Sequence, residues 1–148
     1  MTANPVDWGR IIVCGLVAGF VWTLLSITLL ALVGDDFMAA LPGDKHKAAG
    51  SGRQIFLLSS NFAASIWAIW LYTAIRPSYG PGGKTAVIAG CAWWFIQSLQ
   101  SAKWVAVVGV PINVTLAPLA ATLPAIILAM LTGAWLYEKS PRSDPPTT

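Results

Sequence analysis

Trp70-Leu71-Tyr72-Thr73-Ala74-Ile75-Arg76-Pro77-Ser78-Tyr79-Gly80-Pro81-Gly82-Gly83-Lys84-Thr85-Ala86 is the stretch on which the reading of this chain turns. An apolar, aromatic run stops at Arg76-Pro77. A residue ahead of proline is pushed away from helical geometry, and an arginine there suits the level of lipid headgroups. The glycines and proline between Ser78 and Gly83 favour a tight reversal. Lys84 then opens a second apolar run. The pattern predicts a helical hairpin with both of its arms in a membrane.

Outward from this turn, Ile55 to Ile75 forms the first arm and Thr85 to about Val110 the second, with a break at Gly109-Val110-Pro111. Two further runs, Ile11 to Val33 and Ile112 to Tyr137, flank them. Each reaches the roughly 20 residues that cross about 30 Å of hydrocarbon. The expected fold is therefore an all-α integral membrane protein, with four transmembrane helices arranged as two hairpins in one domain over residues 1–139. Both termini would share one side. A polar loop over residues 34–54 separates the first two spans, with one interfacial turn expected at residues 36–41. The tail over residues 140–148 holds three prolines and is expected to be disordered. Pro111, Pro118 and Pro124 predict an irregular or kinked first half for the fourth span.

At 56% hydrophobic and 10% charged residues, the chain departs from the roughly 25% charge of soluble domains. A net charge of +3 with basic residues at span ends predicts contact with the bilayer and no nucleic acid partner. Cys14 and Cys91 fall inside spans, so they are read as packed thiols and not as a disulfide framework. The first span is too long for a cleaved secretory core and is read as a retained helix. None of the four runs contains Asp, Glu or His. Proton relays and metal or haem sites in a bilayer need such groups, so no enzyme activity, metal or cofactor is expected.

Small residues recur every fourth position: Gly15 and Gly19; Ala86 and Gly90; Ala117, Ala121, Ala125, Ala129 and Gly133. Such stripes let helix backbones approach closely where lipid is as apolar as leucine, and internal packing is their first expected use. Among the tryptophans and tyrosines, Trp8, Trp70, Trp135, Tyr72, Tyr79 and Tyr137 are read as an interfacial aromatic belt, whereas Trp22, Trp67, Trp93 and Trp94 fall near the midplane. Trp93, Gln97, Gln100 and Trp104 follow one helix face, with Trp94 beside it. Three readings of this face stay open: an interhelical polar cluster, a contact surface for a larger complex, or a pocket for an apolar ligand such as a lipid, quinone or pigment.

Two motifs carry nothing. Gly82-Gly83-Lys84-Thr85 lacks the first glycine of a phosphate-binding loop, because Ser78 stands there. His46 has no convergent ligands in its spacing. An internal echo has more content: Trp70-Leu71-Tyr72 recurs as Trp135-Leu136-Tyr137, and Ala18-Gly19 with Trp22 as Ala89-Gly90 with Trp93. Two hairpins in the same orientation, related by a pseudo-twofold along the membrane normal, would produce it.

The Trp-Leu-Tyr, Ile75-Arg76-Pro77, Gly80-Pro81-Gly82 and Thr85-Ala86 motifs, with Gly133-Ala134-Trp135-Leu136-Tyr137, resemble a group of small bacterial four-span membrane proteins with no assigned activity. The resemblance implies a bacterial inner-membrane location and a shared fold. It transfers no catalytic residue. Lys and Arg number five on the side of the termini (Arg10, Arg76, Lys84, Lys139, Arg142) and four on the other (Lys45, Lys47, Arg53, Lys103), which places the termini in the cytoplasm by the positive-inside rule. The functional expectation is a non-enzymatic accessory or structural subunit of a larger membrane complex, of an energy-transducing kind such as a photosynthetic or respiratory assembly. A small transporter or permeation protein, or a binder of lipid or quinone, is the alternative.

Overall fold

Four helices account for nearly all of the described residues, and glycine sets where two of them end. The computed structural model describes residues 7–33, 39, 51–109 and 111–140. Its helices are α1 (Trp8–Val33), α2 (Ser51–Tyr79), α3 (Gly83–Val108) and α4 (Ile112–Lys139). Asp7 caps α1, its Oδ1 accepting the Arg10 N–H at 3.2 Å. Gly80 (φ 85°) and Gly109 (φ 77°) adopt the left-handed conformation that closes α2 and α3. Their N–H groups donate to Arg76 O at 2.8 Å and Val105 O at 2.9 Å.

The boundaries shift from the sequence expectation in three places. α2 starts at Ser51, so residues 51–54 belong to its first turn and not to the loop. The same helix runs through Arg76-Pro77 to Tyr79, which confines the reversal to Gly80, Pro81 and Gly82. Proline's local preference is overridden because Tyr72 and Thr85 hold this turn from both sides: Tyr72 Oη accepts the Gly82 N–H at 3.3 Å and Thr85 Oγ1 donates to Gly80 O at 2.6 Å. The fourth run is one continuous α-helix through Pro118 and Pro124, where an irregular first half was expected. Pro124 cannot donate to Ala120, and polar side chains gather at the adjoining Leu119 carbonyl, as membrane helices with internal proline require. Apart from residue 39, the interfacial turn at 36–41 falls outside the described residues, as do most of the loop, His46 and the tail beyond Ser140.

The helices alternate in direction and pack in ring order. A Cβ added to Gly15 would lie 2.5 Å from Ile66 Cα, and one on Gly19 would lie 2.7 Å from Phe62 Cδ1, so α1 runs antiparallel to α2. Gly133 brings α4 against α1, with Ala18 Cβ 3.0 Å and Cys14 O 3.3 Å from the same construction. Gly90 faces Ile127 and Met130 of α4. Ala125 and Ala129 are buried in the same core, and Ala121 is partly buried. The small residues thus serve contacts between helices of one chain.

Equivalent contacts recur at fixed offsets. Gly19 touches Phe62 and Ser65, while Gly90 touches Ile127 and Met130. The α1 and α3 glycines stand 71 residues apart (19 to 90), and both α2 and α4 partners stand 65 apart (62 to 127, 65 to 130).

Among the described residues, three helices contain segments long and apolar enough to cross a membrane: Trp8–Leu29, Ile55–Tyr79 and Pro118–Lys139. α3 is not among them, since Gln97, Gln100 and Lys103 interrupt its apolar sequence. The outward faces of the other helices carry residues such as Phe20, Leu24, Ile27, Phe56 and Leu128, all exposed.

Candidate functional site

α3 does not present its aromatic and amide residues as a single surface. Trp93 points into the bundle, 6% exposed, and meets Trp22 of α1 with ring centroids 5.7 Å apart and planes 55° to each other. α1 and α3 sit on a diagonal of the ring, and the two indoles span it. Neither indole N–H has a hydrogen-bond partner among the described residues. Neither tryptophan donates to Gln97, Ser98, Gln100 or Ser101.

Trp94 behaves differently. Its Nε1 donates to Leu119 O and to Thr122 Oγ1, each at 3.2 Å, and Thr122 Oγ1 donates in turn to Leu119 O at 2.7 Å. This small network joins α3 to α4 one turn ahead of Pro124. Gln97 is half-buried and Gln100 is exposed. The side chain of Trp104 lies outside the described ones. Of Trp93, Trp94, Gln97, Gln100 and Trp104, the two described tryptophans serve the interior, and Gln100, on the same face as Trp93 but seven residues on, is exposed.

Beside Gln100 a groove of about 360 Å³ opens between α3 and α4, lined by Gln100, Ser101, Val105, Thr115, Pro118, Leu119 and Thr122. Thr115 Oγ1 is committed to Pro111 O at 3.1 Å. The side chains of Gln100, Ser101 and Lys103 have no hydrogen-bond or ionic partner among the described residues, and all three are exposed. Sequence reasoning singled out Gln100 by helical spacing. It missed Thr122 and the groove, because a contact between a tryptophan on one helix and a carbonyl on another leaves no periodic signal.

The end of the bundle that holds the termini carries a second polar cluster. Tyr72 Oη donates to Glu138 Oε1 at 2.5 Å. The Tyr72 ring meets Tyr137 edge-on, with centroids 6.4 Å apart. Arg10 donates through Nη2 to Tyr137 O, and its guanidinium carbon lies 4.4 Å from the Tyr137 ring centroid. A cation at a helix C-terminus satisfies a carbonyl that has no intrahelical partner and complements the dipole. Tyr72 and Tyr137 are buried, which corrects their assignment to the interfacial belt. Trp8, Trp135 and Tyr79 are exposed as belt residues should be, and Lys139 Nζ sits 4.2 Å from the Trp135 ring centroid. Trp67, expected near the midplane, is exposed and stacks on Trp70 at 4.6 Å.

Comparison of this chain with protein families, with curated proteins and with solved structures finds no match. Among the described residues the chain is all-α, with three helices long and apolar enough to cross a membrane.

Proposed function

We propose that this chain is a non-enzymatic accessory or structural subunit, held in a bacterial inner membrane by all four helices, that joins a larger energy-transducing complex through exposed polar residues of α3. The observation that carries this reading is that Gln100, Ser101 and Lys103 are all exposed within a helix flanked by two apolar partners. A polar side chain turned to hydrocarbon is costly unless it meets a partner or reaches the interface. The small-residue stripes are consumed inside the bundle, so these residues are left over for association.

Support for four crossings comes from connectivity. α3 is tied to antiparallel neighbours by short turns at Gly80 and Gly109, and its 26 residues extend about 39 Å at a rise of about 1.5 Å per residue. The two-hairpin repeat is part of the same proposal. It is supported by the matching offsets at Gly19 and Gly90, and by the meeting of echoed residues, Trp22 with Trp93 and Tyr72 with Tyr137, as expected for groups near a pseudo-twofold axis. The tryptophans fill the diagonal, which weighs against a permeation path through one copy.

Purification in gentle detergent tests the reading. A stoichiometric membrane partner that copurifies with the chain is the expected outcome. Repeated isolation as a free monomer or self-contained oligomer would refute it.

A further inference from the structure

We infer that the groove between the start of α3 and the end of α4 is a site for one phospholipid with a primary-amine headgroup, its ammonium at Glu138 and the upper part of an acyl chain along Trp135 and Leu131. One strand of the argument rests on the two-hairpin repeat proposed above; the others are independent of it and of the α3 residues proposed to meet a protein partner.

This groove has a volume of about 410 Å³, and its lining includes Gly82 and Gly83 at the start of α3 and Leu131, Thr132, Trp135 and Glu138 of α4. Positions 131, 135 and 138 follow at steps of four and three and share one face of α4. Leu131 lies seven residues before Glu138 (131 to 138), about 10 Å deeper along the axis. The polar layer of a leaflet is about 5–8 Å deep, so a groove that starts at a carboxylate among headgroups ends against leucine in the hydrocarbon. Trp135, exposed, lies between the two, at the level where aromatic side chains meet the interface. Thr132 adds no free donor, because its Oγ1 donates to Leu128 O at 2.9 Å.

Glu138 has acceptor capacity to spare. Its Oε1 accepts from Tyr72 Oη, and its Oε2 has no partner among the described residues. Arg10, Arg76, Lys84 and Lys139 stand at the same end of the bundle, yet none of these described side chains forms an ion pair with it. Lys139 does not line the groove, but its Nζ lies 4.2 Å from the ring centroid of Trp135, which does. A carboxylate inside the groove with an ammonium at its rim suits a zwitterionic headgroup. A primary amine, unlike a quaternary one, donates hydrogen bonds to the carboxylate as well as charge.

By the repeat, the fold does not need this groove. The offsets of 71 and 65 place Ile12 where Gly83 stands (12 to 83) and Thr73 where Glu138 stands (73 to 138), while Trp70 and Ile66 match Trp135 and Leu131. The first hairpin therefore carries a branched side chain and a hydroxyl that donates to Trp70 O at 2.7 Å. Glycine and a carboxylate in their places give the second hairpin both room and negative charge, which point to an occupant that carries a cation.

Native mass spectrometry on the purified full chain, titrated separately with phosphatidylethanolamine, phosphatidylcholine and phosphatidylglycerol, tests this. The expected result is one saturable lipid per chain, with phosphatidylethanolamine favoured over each of the others by about threefold, the scale of an ion pair at a partly exposed site. Glu138→Gln, which keeps an acceptor for Tyr72, should abolish that preference while phosphatidylcholine retention stays unchanged. Gly83→Leu should fill the groove and lower retention of all three lipids. A Cβ added at Gly83 makes only ordinary contact with Leu131 Cδ2 at 3.5 Å, whereas Gly82 has a φ of 114° that strains any side chain. Thr132→Phe, entering from the α4 wall, is the second filling variant should circular dichroism show that Gly83→Leu misfolds. Equal retention of the three lipids, a preference for phosphatidylglycerol, a preference that survives Glu138→Gln, or unchanged retention in a folded filling variant would overturn the proposal. So would a photocrosslinker at residue 132 that captures a protein in place of lipid in cells. Because the titration uses the isolated chain and a groove apart from Gln100, Ser101 and Lys103, its result does not depend on whether a partner complex is found.

Discussion

Trp94 of α3 and Thr122 of α4 form a hydrogen bond between helices at 3.2 Å, while Trp93, the next residue along, is buried with its indole N–H unpaired. Two adjacent tryptophans therefore differ in what their nitrogen contributes. Replacing either by phenylalanine removes similar volume. Only Trp94→Phe also removes interhelical hydrogen bonds, which average about 0.6 kcal/mol in a membrane protein and rarely exceed about 2. Trp94→Phe should be the more destabilising by about that amount, measured by reversible unfolding in mixed micelles. Trp93→Ala should cost about 3–5 kcal/mol through the cavity left on the diagonal.

The glycines separate by how closely a neighbour approaches. At Gly15 a new Cβ meets the Ile66 backbone at 2.5 Å, which no side-chain rotation relieves, whereas at Gly90 the nearest atom is Met130 Cγ at 3.4 Å. Gly15→Ala should destabilise the bundle by about 1–3 kcal/mol. Gly90→Ala should be neutral or stabilising by up to about 1 kcal/mol from helix propensity. The same unfolding measurement distinguishes them, and equal effects would show that α1 and α2 are not in this close contact.

Tyr72 holds three segments through one hydroxyl, so Tyr72→Phe should loosen the Gly80 turn and the end of α4 together. A hydrogen bond to a charged group contributes about 1.5–3 kcal/mol. Hydrogen exchange at Gly82 should accelerate, and Glu138→Gln should give a smaller effect because it retains an acceptor.

Substituting leucine for Gln97 and Gln100 together should weaken association with a partner or lipid and leave the four-helix fold inserted, since leucine is readily accommodated by the bilayer. Copurification and protease resistance report the two properties separately. Degradation of the double mutant, with association unchanged in the fraction that survives, would assign this face to internal packing.

Cysteines introduced near residue 46 and in the tail, in a background lacking Cys14 and Cys91, should be labelled from opposite sides of the membrane. Labelling of both from one side would eliminate four crossings.

Much of the architecture was readable in the sequence because membrane helices announce themselves locally. The apolar runs, the Gly80 and Gly109 breaks and the four-residue glycine steps each lie within one segment. The misreadings concern residues whose role depends on a distant partner. Tyr72 and Tyr137 sit at span ends, where a belt position is the default, and only the arrival of Arg10 and Glu138 turns them inward. Pro77 and Pro118 were expected to break or bend helices, yet turn contacts and neighbouring helices offset their local preference. The α3 face was read as one unit because Trp93, Gln97 and Gln100 share a helical spacing. Burial divides it along the helix axis: Trp93 packs against Trp22, while Gln100, seven residues on and on the same face, is exposed.

The contact between Arg10 and Tyr137 joins positions 127 residues apart in the chain. Synthesis at about 5–20 residues per second separates their emergence by on the order of 6–25 s. Throughout that interval the Cys14 and Ala18 side of α1 lacks the helix that covers it, and the Arg10 guanidinium lacks its carbonyl. The order of translation therefore leaves the first helix among the last to be sealed, and an arrest before α4 would strand it with an unpaired guanidinium and an uncovered seam.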